Sequence, residues 1–200
     1  MHKTDPQDKS PIDQIYYFFV HITEKYFKKL NFTPNMITTI GNIFGIMGLY
    51  YLNKKHFPLA TFLFLMRYYF DCVDGFYARK YNMVTVFGDY YDHIGDIVII
   101  LLNILLLYKV NNKIFTKVNI AITLFMTYMV MVYLYYQEYY YSDNNNDKAP
   151  MLKLINYFIP NILRIKDKSQ YETNMKYLKY FGCGTHIFMI AIFILLGHFN

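Results

Sequence analysis

The sequence predicts an all-α integral membrane protein, a bundle of about six transmembrane helices with an N-terminal amphipathic interfacial helix. Two observations support this class. Of the 200 residues, 55% are hydrophobic and 17% are charged, whereas soluble domains average about 25% charged residues. The hydrophobic residues also form long blocks, several of them close to the roughly 20 residues that a helix needs to cross a bilayer. A water-soluble globule is therefore not expected.

The N-terminal segment predicts a surface helix rather than a secretory signal. The first eleven residues are polar, and no small-residue cleavage site follows an apolar stretch. Residues 12–30 then mix aromatic side chains with Glu24, Lys25 and Lys28, a pattern typical of a helix lying in the headgroup plane. An ordinary, partly buried helix is the alternative interpretation.

Five later stretches are apolar enough to form spanning helices. They cover residues 36–52, 58–78, 90–108 and 114–136, and a last one from 177 or 181 to 198. Residues 151–165 are apolar but short and contain Pro160, so they form either a sixth, kinked span or a surface helix. The segment 142–147 before them is a polar loop.

Charge and cysteine content narrow the range of partners. The net charge of +6 favours attraction to anionic lipid headgroups, so membrane lipids are expected partners and nucleic acid is not. The spread of Lys and Arg gives only a slight preference for a cytoplasmic N-terminus. Cys72 and Cys183 are too few for a disulfide framework and form no CxxC pair that would indicate zinc.

Two of the predicted spans carry carboxylates that membrane helices normally exclude. Asp71 and Asp74 lie near the end of the second span, and Asp92 and Asp96 lie at the start of the third. Each costs about 2.5–3.5 kcal/mol near the centre of a spanning helix, and less towards the interface. Spacings of three and four residues place each pair on one helix face. Because the two helices are consecutive and antiparallel, we expect the four carboxylates to meet at one depth.

Carboxylates that meet inside a membrane need a cation to hold them together. Oxygen ligands without a cluster of cysteine or histidine favour a hard divalent ion, Mg²⁺ or Mn²⁺, and four carboxylates could hold two such ions. The structural alternative is a set of salt bridges with Arg67, Arg79 and Lys80, of which Arg67, one turn before Asp71, is a credible partner. These cations are too few to neutralise the acids, and ionisable residues within membranes usually mark functional sites.

The acidic residues belong to a longer motif. It reads Asp71-Cys-Val-Asp74-Gly75-Phe-Tyr-Ala78-Arg79, eight residues, Gly88, three residues, Asp92, three residues and Asp96. This segment resembles the signature of the CDP-alcohol phosphotransferase (class-I CDP-alcohol phosphatidyltransferase) family, D-x2-D-G-x2-A-R-x8-G-x3-D-x3-D, at every specified position. Residues 33–38 resemble the family's P-N-x-I-T start of the first span. The resemblance covers residues 33–96, and the last hundred residues match in hydropathy alone.

Resemblance to this family implies a fold, a reaction and a set of partners. It implies a six-helix membrane domain, often a homodimer, with a polar cavity open to the cytoplasm. A hydroxyl would attack the phosphorus that bears the alcohol of a CDP-alcohol, and CMP would leave, in phospholipid biosynthesis. The substrates would be a CDP-alcohol and a lipid. We expect one domain over residues 1–200, with the N-terminal tail and interfacial helix in 1–30, the substrate-access and catalytic motif in 33–96, and the remaining helices in 97–200.

The family's functional residues carry over to matching positions. The resemblance implies that two ions of Mg²⁺ or Mn²⁺ would be bound by Asp71, Asp74, Asp92 and Asp96. It also implies that Asp96 is the catalytic base that takes the proton from the attacking hydroxyl. The nucleotide-diphosphate end would contact Asn35, Met36, Ile37, Thr38, Gly75, Arg79 and Thr85. General chemistry agrees, because two metal ions can clamp the attacking and leaving oxygens of an in-line displacement.

Two features of the sequence point to different substrates. His93, directly after Asp92, and the pair Ile40-Gly41 resemble choline and ethanolamine phosphotransferases, which use diacylglycerol as acceptor. The pair Gly41-Asn42 resembles phosphatidylserine synthases, which use CDP-diacylglycerol. We slightly prefer the aminoalcohol branch, although the chain is short for it. The alternative is a CDP-diacylglycerol-dependent phosphatidyltransferase with a serine, inositol or glycerol-phosphate acceptor. An alternative of another class is a non-catalytic cation-binding membrane protein.

Overall fold

The computed structural model describes residues 8–110, 114–141, 157–165 and 167–196. Helices account for nearly all of these residues, and the described ranges contain no β-strand. The helices are α1 (Pro11–Lys29), α2 (Pro34–Asn53), α3 (Phe57–Lys80), α4 (Val86–Val110), α5 (Ile114–Tyr141), α6 (Lys168–Leu178) and α7 (Cys183–Leu196). Two short 3-10 turns cover Asn161–Leu163 and Lys179–Phe181.

Length and composition identify three helical segments that could cross a membrane. They are Val86–Val110, Lys117–Tyr140 and Ser169–Leu196. Helices α2 and α3, with 20 and 24 residues, are also long enough to span. They carry polar residues of the site and are less apolar than these three segments. The fold class is therefore confirmed as an all-α membrane protein. Of the two starts predicted for the last span, 181 is the closer, since a 3-10 turn and Gly182 follow α6 and α7 begins at Cys183.

Capping residues and tight turns set the bounds of the first four helices. Thr33 accepts a hydrogen bond from the Met36 amide at 3.3 Å and caps α2, whose first residue is a proline. Asn31 and Asn82, with φ of 55°, follow α1 and α3 in the left-handed conformation that asparagine tolerates well. These short connections turn the chain back on itself, and α2 packs against both α3 and α4. Helices α3 and α4 meet mainly through the side chains of the site, without the close backbone packing that the sequence predicts.

Helices α2 and α3 pack closely because one face of α2 consists of glycines. Gly41, Gly45 and Gly48 are buried and face α3. A Cβ atom at Gly45 would lie only 2.7 Å from Cδ of Arg67, so the arginine side chain occupies space that any larger residue would fill. Small residues of this kind let helix backbones approach in a membrane protein. Below the site, an apolar cluster joins α2, α3, α4 and α7, and it includes Leu52, Ala60, Phe64, Ile99 and Ile194.

Helix α1 forms where the sequence predicts an interfacial helix. In the structure several of its large apolar side chains are exposed, and its two carboxylates are buried against the other helices. Its exposed large side chains include Ile15, Phe18, Phe19, Ile22 and Tyr26. Glu24 is buried, forms an ion pair with Lys80 and accepts a hydrogen bond from the Tyr81 hydroxyl at 2.6 Å. Burial alone would raise the pKa of Glu24, but the hydrogen bonds from Lys80 and Tyr81 bring this pKa below its ordinary value. The same carboxylate raises the pKa of Tyr81 to about 12.

A second buried carboxylate connects α1 to two other helices. Asp13 is 5% exposed and accepts hydrogen bonds from the Tyr68 hydroxyl at 2.5 Å and the Gly184 amide at 2.8 Å. These contacts join α1 to α3 and to the start of α7. Burial raises the pKa of Asp13, although the hydrogen bonds oppose that shift.

Two of the sequence predictions fall largely outside the described residues. The polar loop 142–147 lies outside them, as does the first part of the stretch 151–165. The part that is described, residues 157–165, contains a 3-10 turn directly after Pro160. The division of the chain into one domain with three parts stays a prediction.

Candidate functional site

Carboxylates from two neighbouring helices converge on one point. Oxygens of Asp71 and Asp74, on α3, and of Asp92, on α4, lie within 4.8 Å of one another. The spacing of the residues predicts this convergence, because positions three apart share a helix face and the following helix is antiparallel. Carboxylates at such distances repel each other unless a cation neutralises them, and such a group could hold a metal ion.

A small cavity lies beside these carboxylates, and three helices form its walls. Its lining residues are Thr38, Gly41 and Asn42 of α2, Arg67, Asp71 and Asp74 of α3, and Asp92 and Asp96 of α4. All four aspartates predicted to bind metal therefore border one space. Carboxylate, hydroxyl and amide oxygens are the ligands that Mg²⁺ and Mn²⁺ prefer. The chemistry of the lining thus fits a hard divalent cation.

Asp74 is the most enclosed of the acids and has a defined partner on α2. It is 4% exposed, and Thr38 Oγ1 donates a hydrogen bond to its Oδ2 at 2.6 Å. The same hydroxyl lies 3.2 Å from the carbonyl of Pro34, one turn earlier. Thr38, expected at the nucleotide, therefore contacts one of the predicted metal ligands.

Asp96 lines the same cavity but pairs with an arginine. Arg67 Nη2 lies 2.5 Å from Asp96 Oδ1, with side chains 7% and 33% exposed respectively. The salt-bridge alternative from the sequence paired this arginine with Asp71 on its own helix. The side chain instead reaches across to α4 through the space beside Gly45.

The other two cations of the salt-bridge alternative contact residues of α1. Lys80 pairs with Glu24, and Arg79 Nη2 donates a hydrogen bond to the Tyr17 hydroxyl at 3.4 Å. Within the described residues, then, the ion pairs neutralise one of the four aspartates. The salt-bridge alternative does not account for the whole cluster.

Two of the residues expected near the nucleotide form a small group at the end of α3. The guanidinium of Arg79 folds back over Gly75, and a Cβ atom at Gly75 would lie 3.3 Å from both Nη1 and Nη2. Glycine therefore permits the close approach of this positive charge to the α3 backbone. Neither residue is part of the cavity lining, although Gly75 directly follows Asp74 in α3.

The remaining nucleotide candidates have different surroundings. Thr85 Oγ1 accepts a hydrogen bond from the Gly88 amide at 3.0 Å and so caps α4. Asn35 Oδ1 lies beside the same glycine, 2.9 Å from where its Cβ would be. Met36 is exposed, whereas Ile37 is completely buried in an apolar cluster with residues of α1 and α3. The side chain of Ile37 is thus packed in the core and does not face the cavity.

Sequence reasoning missed Asn42 as a site residue. It borders the cavity, and a Cβ atom at Gly95 would lie 2.9 Å from Asn42 Oδ1. The glycine on α4 therefore makes room for this amide. Helical periodicity could have identified it, because Asn42 lies four residues after Thr38 and shares its face.

His93 makes a local contact rather than a contact with the cavity. Its Nδ1 lies 2.8 Å from the carbonyl oxygen of Asp89 and 3.9 Å from Asp92 Oδ2. The short contact joins positions four apart on one helix. The ring of His93 is therefore satisfied by a carbonyl of its own helix.

Comparison with known proteins gives concordant results. A CDP-diacylglycerol–glycerol-3-phosphate 3-phosphatidyltransferase from Rickettsia felis is 39% identical over 67 residues, 34% of this chain and 37% of that protein. An uncharacterized protein from Aquifex aeolicus is 35% identical over 71 residues, 36% of each chain. The match thus spans little more than a third of the length of either relative. The chain matches no solved structure significantly.

The family comparison covers far more of the chain. The family model described as CDP-alcohol phosphatidyltransferase matches residues 31–198, which include all three helices of the site and its motif. The resemblance that the motif predicts over residues 33–96 is confirmed and extends through the C-terminal helices. The chain belongs to the CDP-alcohol phosphatidyltransferase family.

Proposed function

We propose that this protein is an enzyme that transfers a substituted phosphate group from a CDP-alcohol to an acceptor hydroxyl, with release of CMP, in phospholipid biosynthesis. The observation that carries the proposal is the convergence of Asp71, Asp74 and Asp92, with Asp96 on the same cavity, in a chain of this family. We also propose that the enzyme crosses the membrane several times, with its cavity facing the cytoplasm and α1 lying in the headgroup plane. The active form would be a homodimer.

The acidic residues would bind Mg²⁺ or Mn²⁺. Asp71, Asp74 and Asp92 would supply the ligands, and Thr38 would orient Asp74 through its hydrogen bond of 2.6 Å. When bound, such an ion neutralises charge on the phosphates during transfer. Phosphoryl transfer depends mainly on positioning and charge neutralisation, so a buried group of carboxylates beside a cavity is suited to this reaction.

Asp96 would act as the base that accepts the proton of the attacking hydroxyl. A base must come within hydrogen-bond distance of that proton, and the Asp96 side chain, 33% exposed, borders the cavity. Arg79 would contact a phosphate of the nucleotide with its planar guanidinium, close to the α3 backbone at Gly75. Asn35, Met36, Thr38 and Thr85 would complete the nucleotide side through side chain or backbone, whereas Ile37 would contribute only by packing.

For the donor, the comparisons favour CDP-diacylglycerol over a CDP-aminoalcohol. The relative from Rickettsia felis is named as a CDP-diacylglycerol–glycerol-3-phosphate 3-phosphatidyltransferase. One of the two features that favoured the aminoalcohol branch, His93, makes a contact within its own helix. We therefore replace the initial preference by the alternative, a CDP-diacylglycerol-dependent phosphatidyltransferase with a small hydroxyl acceptor such as glycerol 3-phosphate.

A substrate panel tests the proposal. The protein would be reconstituted in lipid nanodiscs and given CDP-diacylglycerol with glycerol 3-phosphate, serine or inositol, or CDP-choline or CDP-ethanolamine with diacylglycerol. We expect Mn²⁺- or Mg²⁺-dependent release of CMP with CDP-diacylglycerol, abolished by EDTA and by Asp92→Asn. Asp167→Asn, which alters the cap of α6 far along the chain, is the matched control.

The outcomes separate the alternatives. CMP release from CDP-choline or CDP-ethanolamine alone would restore the aminoalcohol branch. Binding of a divalent ion without CMP release from any donor would support the non-catalytic cation-binding protein instead.

A further inference from the structure

Arg67 introduces a fixed positive charge into the acidic cavity. It lies on α3, one turn before Asp71, and its side chain is only 7% exposed. Its guanidinium borders the cavity together with the four aspartates, and its Nη2 lies 2.5 Å from Asp96 Oδ1. A cation this deep in a membrane helix needs a counter-charge, and Asp96 supplies it.

The surroundings of Arg67 hold its side chain at this position. The missing Cβ of Gly45 on α2 leaves the channel through which the arginine passes, since a Cβ there would lie 2.7 Å from Cδ and 3.0 Å from Nε. The Nε atom is buried and has no hydrogen-bond partner among the described residues. The guanidinium is therefore enclosed beside the acids, and its Nε–H donor has no acceptor among the described residues.

This pairing divides the four carboxylates into two unequal groups. Oxygens of Asp71, Asp74 and Asp92 lie within 4.8 Å of one another and could supply three ligands to one ion. Asp96 is already neutralised by the guanidinium. A second divalent ion at Asp96 would have to lie within a few ångströms of a buried positive charge, where repulsion is poorly screened, or displace that charge from the one ion pair that it forms with the described residues.

We infer that Arg67 takes the place of a second divalent ion, so that the substrate-free protein binds one ion, at Asp71, Asp74 and Asp92. Asp96 keeps a permanent counter-charge from the protein itself. The inference rests on the metal site of the proposed function, and it departs from the two ions that the sequence motif implies. It makes Arg67 a positioning residue for Asp96.

Counting bound ions tests this inference without any measurement of activity. Wild-type protein in nanodiscs, free of nucleotide, would be titrated with Mn²⁺ while free Mn²⁺ is followed by electron paramagnetic resonance. We expect one ion per chain for the wild type and for Arg67→Lys, which keeps the charge. Arg67→Gln removes the charge and is expected to bind two. Lys109→Gln, which removes an exposed cation at the far end of α4, is the matched control and should still bind one.

The wild-type titration alone can overturn the inference, so it does not depend on the folding of any variant. Two ions of similar affinity in the wild type would overturn it, as would no ion at all or a single ion in a folded Arg67→Gln protein. The result of the substrate panel does not depend on the number of bound ions, so the proposed function and this inference can fail separately. Mn²⁺-dependent CMP release with two bound ions would reject the inference and keep the proposed function. One bound ion without CMP release would do the reverse.

Discussion

Thr38 Oγ1 donates a hydrogen bond of 2.6 Å to Asp74 Oδ2, and this contact joins α2 to the acidic face of α3. A hydroxyl that donates to a carboxylate fixes the rotamer of the acid and satisfies one of its buried oxygens. Helix α2 therefore contributes to the site by orienting a carboxylate of α3. Loss of a residue that orients a metal ligand typically lowers metal affinity or activity about 10- to 100-fold.

Replacing Thr38 by Val should accordingly weaken divalent-ion binding. The hydrogen bond disappears while the shape of the side chain stays nearly the same, so Asp74 loses its orientation without leaving a cavity. We expect Mn²⁺ affinity and CMP release to fall about 10- to 100-fold, measured by Mn²⁺ titration and by the nucleotide assay.

Two matched variants make this result interpretable. Thr38→Ser keeps the donor and should retain most of the affinity. Thr39→Val alters the neighbouring, exposed threonine, whose hydroxyl donates to the Asn35 carbonyl at 2.7 Å, and should change the affinity little. Wild-type affinity in the Thr38→Val protein would show that the hydrogen bond to Asp74 has no part in ion binding.

Replacing Asp96 by Asn should separate binding from turnover. The amide cannot accept the proton of the attacking hydroxyl, and loss of a general base typically slows a reaction about 10²- to 10⁴-fold. Binding of the nucleotide donor should persist, because Asp71, Asp74 and Asp92 are unchanged. CMP release and equilibrium binding of the CDP-alcohol measure the two properties. Turnover near the wild-type rate would exclude Asp96 as the base.

The position of the site was predictable from spacing, but the contacts between helices were not. Intervals of three and four residues define a face within one helix, and they predicted that Asp71 and Asp92 would meet. They carry no information on which residue of α4 Arg67 would reach. That choice depends on the rotation of α3 against α4 and on the space beside Gly45, which only the packed structure shows.

Hydropathy likewise predicted the helices better than their orientation and interruptions. In a membrane protein the apolar face of a surface helix can point outward to lipid, so the pattern of α1 did not reveal that Glu24 is buried. For the last span, hydropathy left the start open between 177 and 181, and the structure places a break at Gly182, directly before α7. A Cβ there would lie 3.0 Å from Cβ of Ser10, so glycine lets the start of α1 approach at this break.

Replacing Gly45 by Ala should strain the α2–α3 interface and displace Arg67. The new Cβ would lie 2.7 Å from both Arg67 Cδ and Ile99 Cδ1, closer than van der Waals contact allows. Overpacking of this kind costs about 1–3 kcal/mol, measured as a lower unfolding temperature in detergent. Gly48→Ala, whose Cβ would meet the Phe64 ring at 3.2 Å, is the graded control and should destabilise less. Equal effects of the two substitutions would argue against a special role for the space beside Arg67.

Replacing Glu24 by Gln should destabilise the protein near neutral pH and remove part of its acid sensitivity. The carboxylate of Glu24 pairs with Lys80 and accepts from Tyr81, and its pKa in the folded protein lies below the ordinary value near 4.5. A lowered folded-state pKa means that the stabilisation is fully present above the unfolded value and is lost as pH falls through the folded one. Hydrogen bonds to a charged group contribute about 1.5–3 kcal/mol. Unfolding temperatures of the wild type and of Glu24→Gln would be measured from pH 7 to pH 3. The wild type should be the more stable at pH 7, and the difference should shrink towards pH 3. Asp167→Asn, at an exposed residue whose capping oxygen the amide keeps, is the control and should follow the wild-type curve. A constant offset between wild type and Glu24→Gln at every pH would show that the charge of Glu24 is not what stabilises α1 against α3.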